Sequence, residues 1–372
     1  MRIGFDAKRL FNNFTGLGNH SRTTIDILTE FFPGNEYLLY TPKIKHNSTT
    51  DPYTDKDHCR TILPDGMIKG GLWRTFRLAD TARKDSVDIF HGLSNELPAG
   101  MDIPSVVTIH DVAFKTFPDM YHAADRFTYN LKWRYACRKA DRIIAISECT
   151  KQDIIRFYDV DADRIDVVYQ PVNHLFYTDY KGVCPDSLAS YVDGKPYILY
   201  VGSINSRKNL LGAIKALELL PRDLQIPIVV IGDGREYKQK VQNYIAEHSL
   251  QDMVIFSPEK VGLEGLRYLY RNAQMLIYPS FYEGFGLPVV EALLSGCPVV
   301  TSNVSSLPEA AGPHSLLVNP SNIQDISDKM SRILTESTLR SEIIAKGYEF
   351  AKQQFSPDVL AAKLMSIYKK VL

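Results

Sequence analysis

"QMLIYPSFYEGFGLPVVEALLSGCPVVTS", residues 274–302, is the stretch on which the fold turns. Its apolar opening, 274–280, reads as a strand. "FYEGFG" follows as a turn, and Pro288 suits the first turn of a helix, where its missing N–H costs nothing. That helix should run through about Ser295 and stop at Gly296. A second apolar run, 298–302, reads as another strand. Strands apolar throughout, alternating with helices, indicate a parallel sheet covered on both faces.

The same rhythm extends through the chain. Towards the N-terminus the strand candidates are 2–7, 37–41, 87–92, 105–111, 141–147 and 165–169, with helices such as 19–31, 122–140 and 148–158 between them. In the C-terminal half they are 196–203, 226–234, 253–257, 274–280, 298–302 and 315–319. The rhythm breaks at about 171–195, a stretch rich in proline, glycine, serine and aspartate. The expected organisation is an N-terminal domain at 1–172, a linker at 173–195, and a second domain at 196–350. A C-terminal helix at 351–372 is able to cross back to the first domain. The fold class is α/β, two doubly wound Rossmann-like domains facing a cleft, whose ligands sit outside the carboxyl ends of the strands.

Composition narrows the function. At 45% apolar and 23% charged, the 372 residues read as an ordinary globular protein. Lysine plus arginine equals aspartate plus glutamate, 43 each, which argues against nucleic acid as the main partner. Five scattered cysteines with no C-x-x-C pair fit reduced thiols rather than a disulfide framework or a zinc site. The opening "MRIGFDAKRL" is strand-like and lacks the apolar core of a signal peptide. No stretch approaches the roughly 18 apolar residues of a membrane span. A cytoplasmic protein is the expectation.

The strand ends carry the chemistry. Gly16 and Gly18 precede a helix, where backbone N–H groups can approach an anion. His110 ends a strand, placed either to meet a ligand or to be held structurally. Arg207 and Lys208 follow another strand, a fork and a point charge suited to a diphosphate. In the opening stretch, Glu283 lies before Gly284, Phe285, Gly286 and Leu287, and Glu291 lies in the helix's first turn. This makes a backbone nest for an anion with a carboxylate at each side. Carboxylates accept from sugar hydroxyls, so a nucleotide sugar fits; taken singly, Glu291 reads as a helix-dipole partner. Ser147 reads as a helix N-cap. Asp161-Ala162-Asp163, a D-x-D match, reads as a surface turn.

Together these residues resemble the retaining glycosyltransferases of family 4, the group 1 glycosyltransferases with the GT-B fold. The resemblance is tightest over 266–312, which carries the E-x7-E signature. It extends to "VGSINSRKN" (201–209), "IGDG" (231–234), "HGLSNELP" (91–98), "HD" (110–111) and "GLGNHSR" (16–22). One departure is Cys297, where the family often has threonine; a buried small residue is expected there.

The resemblance implies the following roles. Glu291 would bind ribose. Glu283 and the N–H groups of Gly284 to Leu287 would hold donor sugar and phosphates. Arg207 and Lys208 would neutralise the leaving diphosphate. Gly18 would approach the phosphate, and His110 would contact the donor sugar. It implies no metal and no cofactor beyond the donor, GDP-mannose or a UDP-hexose, and a surface glycan on a lipid carrier as acceptor.

Three rival readings are a sugar-nucleotide epimerase, a non-catalytic two-lobed sugar-binding protein, and a dinucleotide oxidoreductase, the last disfavoured because no G-x-G-x-x-G follows a strand. Two segments, 70–84 and 125–142, mix Trp73, Phe76 and Trp133 with arginine and lysine. They raise the expectation of peripheral contact with the cytoplasmic membrane.

Overall fold

Apolar runs become strands wherever an amphipathic stretch separates them, and a strand buried on both faces needs helices above and below. The computed structural model describes residues 1–66, 70–179 and 181–372. They divide into two compact units, Met1–Val172 with Phe355–Leu372, and Asn173–Gln354.

The first unit holds β1 (Arg2–Asp6), β2 (Glu36–Tyr40), β3 (Cys59–Ile62), β4 (Ile89–Gly92), β5 (Ser105–Ile109), β6 (Arg142–Ala145) and β7 (Ile165–Val167). Its helices are α1 (Lys8–Asn12), α2 (Gly16–Phe31), α3 (Gly70–Phe76), α4 (Leu78–Lys84), α5 (Ala113–Thr116), α6 (Ala123–Lys139) and α7 (Glu148–Tyr158). The strands lie in the order β3-β2-β1-β4-β5-β6-β7, all parallel. One face packs Trp73, Phe90, Phe114 and Trp133; the other packs Phe5, Phe11, Ile25 and Leu28.

The second unit holds β8 (Ile198–Val201), β9 (Ile228–Ile231), β10 (Val254–Phe256), β11 (Met275–Tyr278), β12 (Val299–Ser302) and β13 (Leu316–Val318). Its helices are α8 (Ala189–Val192), α9 (Leu210–Glu218), α10 (Glu236–Glu247), α11 (Leu263–Asn272), α12 (Leu287–Leu294), α13 (Leu307–Ala311), α14 (Ile323–Thr335) and α15 (Ser337–Gln354). The order β10-β9-β8-β11-β12-β13, also parallel, is that of a dinucleotide-binding sheet, with its switch point between β8 and β11. After α15 the chain returns to the first unit as α16 (Pro357–Val371). Leu360, Ala361, Leu364, Met365, Ile367 and Tyr368 are all buried there beside Ile3, Phe5 and Leu28.

Three features depart from the pattern read in the sequence. β3 has no apolar run to announce it, because it is an edge strand: it pairs with β2 alone and leaves Arg60 exposed. The stretch 173–195 carries the change of unit, yet it is packed. Phe176 is buried with its ring 6.1 Å from that of Tyr270, Leu188 and Val192 are buried, and Arg267 reaches the Thr178 carbonyl at 2.7 Å. Tyr180 in that stretch lies outside the described residues. Finally, Trp73 and Trp133 both face the core, 3% and 8% exposed, and not solvent. The exposed apolar side chains of α3 and α6 are Leu72, Phe76, Phe127 and Leu131.

Candidate active site

Two turns, one after β8 and one after β11, meet across the switch point of the second sheet. After β8 the chain makes a short 3-10 turn, Ser206–Lys208, capped by Asn205, whose side chain accepts from the Lys208 amide at 3.1 Å. This turn carries Arg207 and Lys208. After β11 comes the turn that carries Glu283. The two are tied by the Phe281 amide, which donates to the Arg207 carbonyl at 2.8 Å.

Glu283 is where the charges converge. Its Oε1 lies 2.8 Å from the Lys208 ammonium and accepts from the Tyr278 hydroxyl at 3.2 Å. Its Oε2 lies 3.2 Å from the Arg207 guanidinium. Arg207 also donates to the Tyr282 carbonyl, and Lys208 to the Tyr278 hydroxyl. Burial opposes ionisation of Glu283, but Lys208 and Arg207 outweigh it and hold the carboxyl at about 2. The group is therefore a fixed anion at neutral pH, too weak a base to take a proton. The cluster carries two cations against one carboxylate, a net positive charge beside a helix start.

The turn is built to hold its shape. Gly286 has φ +120°, and a Cβ there would sit 2.9 Å from Leu307 Cδ2. Ser306 donates to the carbonyls of Glu283 and Phe285 at 2.8 and 2.7 Å, while Ser305 accepts from the Glu283 amide at 2.9 Å. Phe285 is buried. Gly284 precedes it, and Leu287 opens α12 with Pro288 beside it.

Glu291 sits differently from expectation. It is the fifth residue of α12, and the first turn holds no acidic residue, so it is not a helix-dipole partner. Its Oε2 accepts from the Tyr270 hydroxyl of α11 at 3.0 Å. Burial raises its carboxyl to about 7, and the Tyr270 hydrogen bond offsets only part of that.

In the first unit, the glycine turn and His110 come together through α2. Gly18 is demanded by contact: a Cβ would lie 1.8 Å from the Asn13 carbonyl. Gly16 has no such constraint, since nothing lies within 4 Å. The Asn13 side chain already occupies part of the nest, accepting from the amides of Thr15 and Gly18 at 3.0 and 3.1 Å. His20, on the same helix, meets His110 edge to face, ring centroids 4.5 Å apart. His110 is buried and engaged at both nitrogens. Nε2 faces the Leu93 carbonyl at 2.9 Å, and the Gln170 amide faces Nδ1 at 3.1 Å. A carbonyl can only accept, so the proton is on Nε2. Burial keeps the ring at about 4, against the pull of the Leu93 carbonyl, so it is neutral at physiological pH.

Several functional neighbours escape sequence reading. Tyr278 and Tyr270 look like core aromatics, and their polar ends matter only once Glu283 and Glu291 are placed. Ser305-Ser306 ahead of Leu307-Pro308 is a helix-start pattern that does signal a pinned turn. Gln170 directly follows the strand candidate 165–169, and nothing in its sequence neighbourhood marks it. Ser147 caps α7 as expected, accepting from Thr150 at 3.0 Å, and Cys297 is buried as expected. Asp161 precedes and Asp163 lies within the 3-10 turn Ala162–Arg164, and both are exposed.

The sequence matches two protein families: "Glycosyl transferases group 1" over residues 190–350 and "Glycosyltransferase Family 4" over 16–174. It is 30% identical to the O-antigen chain mannosyltransferase B of Escherichia coli, across 99% of this chain and 100% of that one. The O-antigen chain mannosyltransferase RfbU of Salmonella typhimurium is 29% identical over 61% of this chain and 62% of its own length. Among solved structures, Anabaena Alr3699/HepE in complex with UDP-glucose superposes with a TM-score of 0.76 at 17% identity, covering 100% of both chains.

Proposed function

Because the chain belongs to the group 1 and family 4 glycosyltransferases, and is a hexosyltransferase drawing on a nucleoside diphosphate sugar, we propose that it moves mannose from GDP-mannose to a hydroxyl of a growing surface glycan, with retention at the anomeric carbon. The observation that carries the reading is the Arg207–Lys208–Glu283 cluster at the switch point, where a doubly wound sheet binds its ligand. Mannose is supported by the two O-antigen mannosyltransferases; a UDP-hexose is the competing donor, as in the Anabaena complex.

In this reading Arg207 and Lys208 face the diphosphate, where negative charge grows as the glycosidic bond breaks. Glu283, already ionised, orients both cations and accepts from a sugar hydroxyl. The amides of Gly284, Phe285, Gly286 and Leu287 lie along the phosphates, and Glu291 takes the ribose. In the first unit, Gly16 and Gly18 offer a backbone approach to a phosphate, and neutral His110 is the candidate contact for a sugar. No carboxylate in the cluster is free to act as nucleophile, since Glu283 is held by two cations. The acceptor oxygen therefore attacks the face the diphosphate leaves, and a departing phosphate oxygen takes its proton. The cations and helix start do the work, and no metal is required.

We place the enzyme in the cytoplasm, peripheral to the membrane. Supporting this are Leu72, Phe76, Phe127 and Leu131, exposed alongside Arg134, Arg138 and Lys139. No helix among the described residues is long and apolar enough to cross a membrane. The test is a donor panel with and without an O-antigen-type acceptor. Nucleotide release from GDP-mannose only with acceptor, giving an axial-type anomeric coupling in the product, is expected. Acceptor-independent release, or exclusive use of UDP-sugars, would overturn it.

A further inference from the structure

α5, the 3-10 turn Pro118–Met120 and the first half of α6 line an open cavity of about 330 Å³ in the first unit, shortly after the carboxyl end of β5. This is within the size range of small-molecule sites, about 300–1,000 Å³. Its lining joins Lys115 and Arg126 to Asn130, with Phe114, Pro118 and Phe127 as apolar walls. No carboxylate is among these lining residues.

Two polar atoms here are buried without a partner, Arg126 Nε and Asn130 Oδ1, one donor and one acceptor a helical turn apart. Buried unpartnered groups are uncommon and costly, and a ligand that supplies both a phosphate oxygen and a hydroxyl would satisfy them. Lys115 is crowded by a like charge: burial and Arg134 together lower its ammonium. Of the lining, Phe127 is 73% exposed; α6 also carries Leu131, 60% exposed one turn further along, and the 3-10 turn carries Met120, 37% exposed. Cations on elements with exposed apolar side chains suit an anion carried on a hydrocarbon chain. A free inorganic anion would leave those side chains without a role.

We propose that this cavity binds the phosphoryl group linking the acceptor glycan to its lipid. Lys115 and Arg126 hold the phosphate oxygens, Asn130 accepts from the first sugar's hydroxyl, and Phe127 and Leu131 lie against the lipid. The proposal rests on the reading of the acceptor as a lipid-linked glycan. It gives the enzyme a way to tell a carrier-bound chain from a free one.

The test compares neutral phosphatidylcholine vesicles doped with a polyprenyl diphosphate-linked sugar against vesicles carrying equal charge as phosphatidylglycerol. The wild-type protein should co-sediment about tenfold more tightly with the diphosphate-linked lipid, and inorganic pyrophosphate should displace it. The Lys115→Gln/Arg126→Gln variant should lose that preference, and its KM for lipid-linked acceptor should rise about tenfold relative to its KM for the same glycan on a soluble aglycone. Equal binding of the wild-type protein to both vesicle types, or a folded variant that keeps the preference, would overturn the site. If the variant folds poorly, the vesicle comparison and pyrophosphate displacement on the wild-type protein decide alone. A protein that transfers to neither acceptor from any donor would overturn the glycosyl-transfer reading instead, while the vesicle arms still report on the cavity.

Discussion

Glu283 and Glu291 belong to one sequence signature, yet their surroundings drive them in opposite directions. Two cations pull Glu283 down to about 2, and burial lifts Glu291 to about 7. Glu291 thus changes charge in the physiological range. Its ionisation disfavours the unliganded fold, because its folded value exceeds the unfolded one: the stability it confers is full below about 4.5 and is lost as pH rises towards 7. A ribose hydroxyl reverses that balance by donating to the ionised form. Nucleotide affinity by calorimetry should rise between pH 6 and 8 in the wild-type protein. In Glu291→Gln it should stay flat and lie about tenfold or more weaker at pH 8. The same variant, unliganded, should melt higher than wild type above pH 7. For Lys208→Ala, steady-state kinetics should show a larger fall in kcat than rise in donor KM, because the diphosphate charge grows in the transition state. The substitution also leaves Glu283 buried with one cation fewer, which costs stability. Adding Glu283→Gln should restore melting temperature without restoring turnover, and recovery of turnover would contradict the leaving-group role of Lys208.

Among the elements, the turns are legible to different depths. Proline at the start of α12 and glycine past its end mark the helix to within a residue or two, since each has one conformational reason to be there. The same glycine logic does not separate Gly16 from Gly18. Both open α2, but only Gly18 has a carbonyl where its Cβ would be. Gly18→Ala should therefore destabilise by about 1–3 kcal/mol in urea denaturation, as overpacking against backbone does. Gly16→Ala should be neutral or stabilise by about 0.4–1 kcal/mol. His110 shows the opposite limit. Its place at a strand end was visible, but its two partners come from residues 17 and 60 positions away, and no local pattern encodes them. β3 stayed hidden because an edge strand needs only half an apolar pattern.

At the scale of the whole molecule, the two-sheet architecture was readable because buried parallel strands must be apolar along their length. What periodicity could not fix was where each unit ends. The sequence offered a C-terminal helix able to cross back, and the burial of α16 against β1 and α2 assigns it to the first unit. Its Tyr368 hydroxyl meets His91 at 2.7 Å, and His91 bonds Thr108 at 2.8 Å. Burial holds His91 at about 3 and His110 at about 4, both neutral when folded. Unfolding lets each take up a proton below about 6.5, so the stability these rings confer is present above that value and is lost as pH falls towards 4 and 3. Each should cost about 2 kcal/mol between pH 7 and 5. The first unit should then melt earlier than the second at pH 5 by calorimetry, and a single pH-independent transition would contradict this.

Because α16 fills part of the first unit's core, the chain is also ordered in time. During synthesis, residues 173–354 have all left the ribosome before 357–371 appear, so the second unit holds every strand it needs while the first still lacks a wall. The usual N-terminal-first order of domain folding is thereby inverted. The earliest-made half waits, with an apolar face uncovered, for a helix encoded nearly two hundred codons downstream of its last strand. A holdase chaperone would find its substrate there, in nascent chains stalled just short of α16.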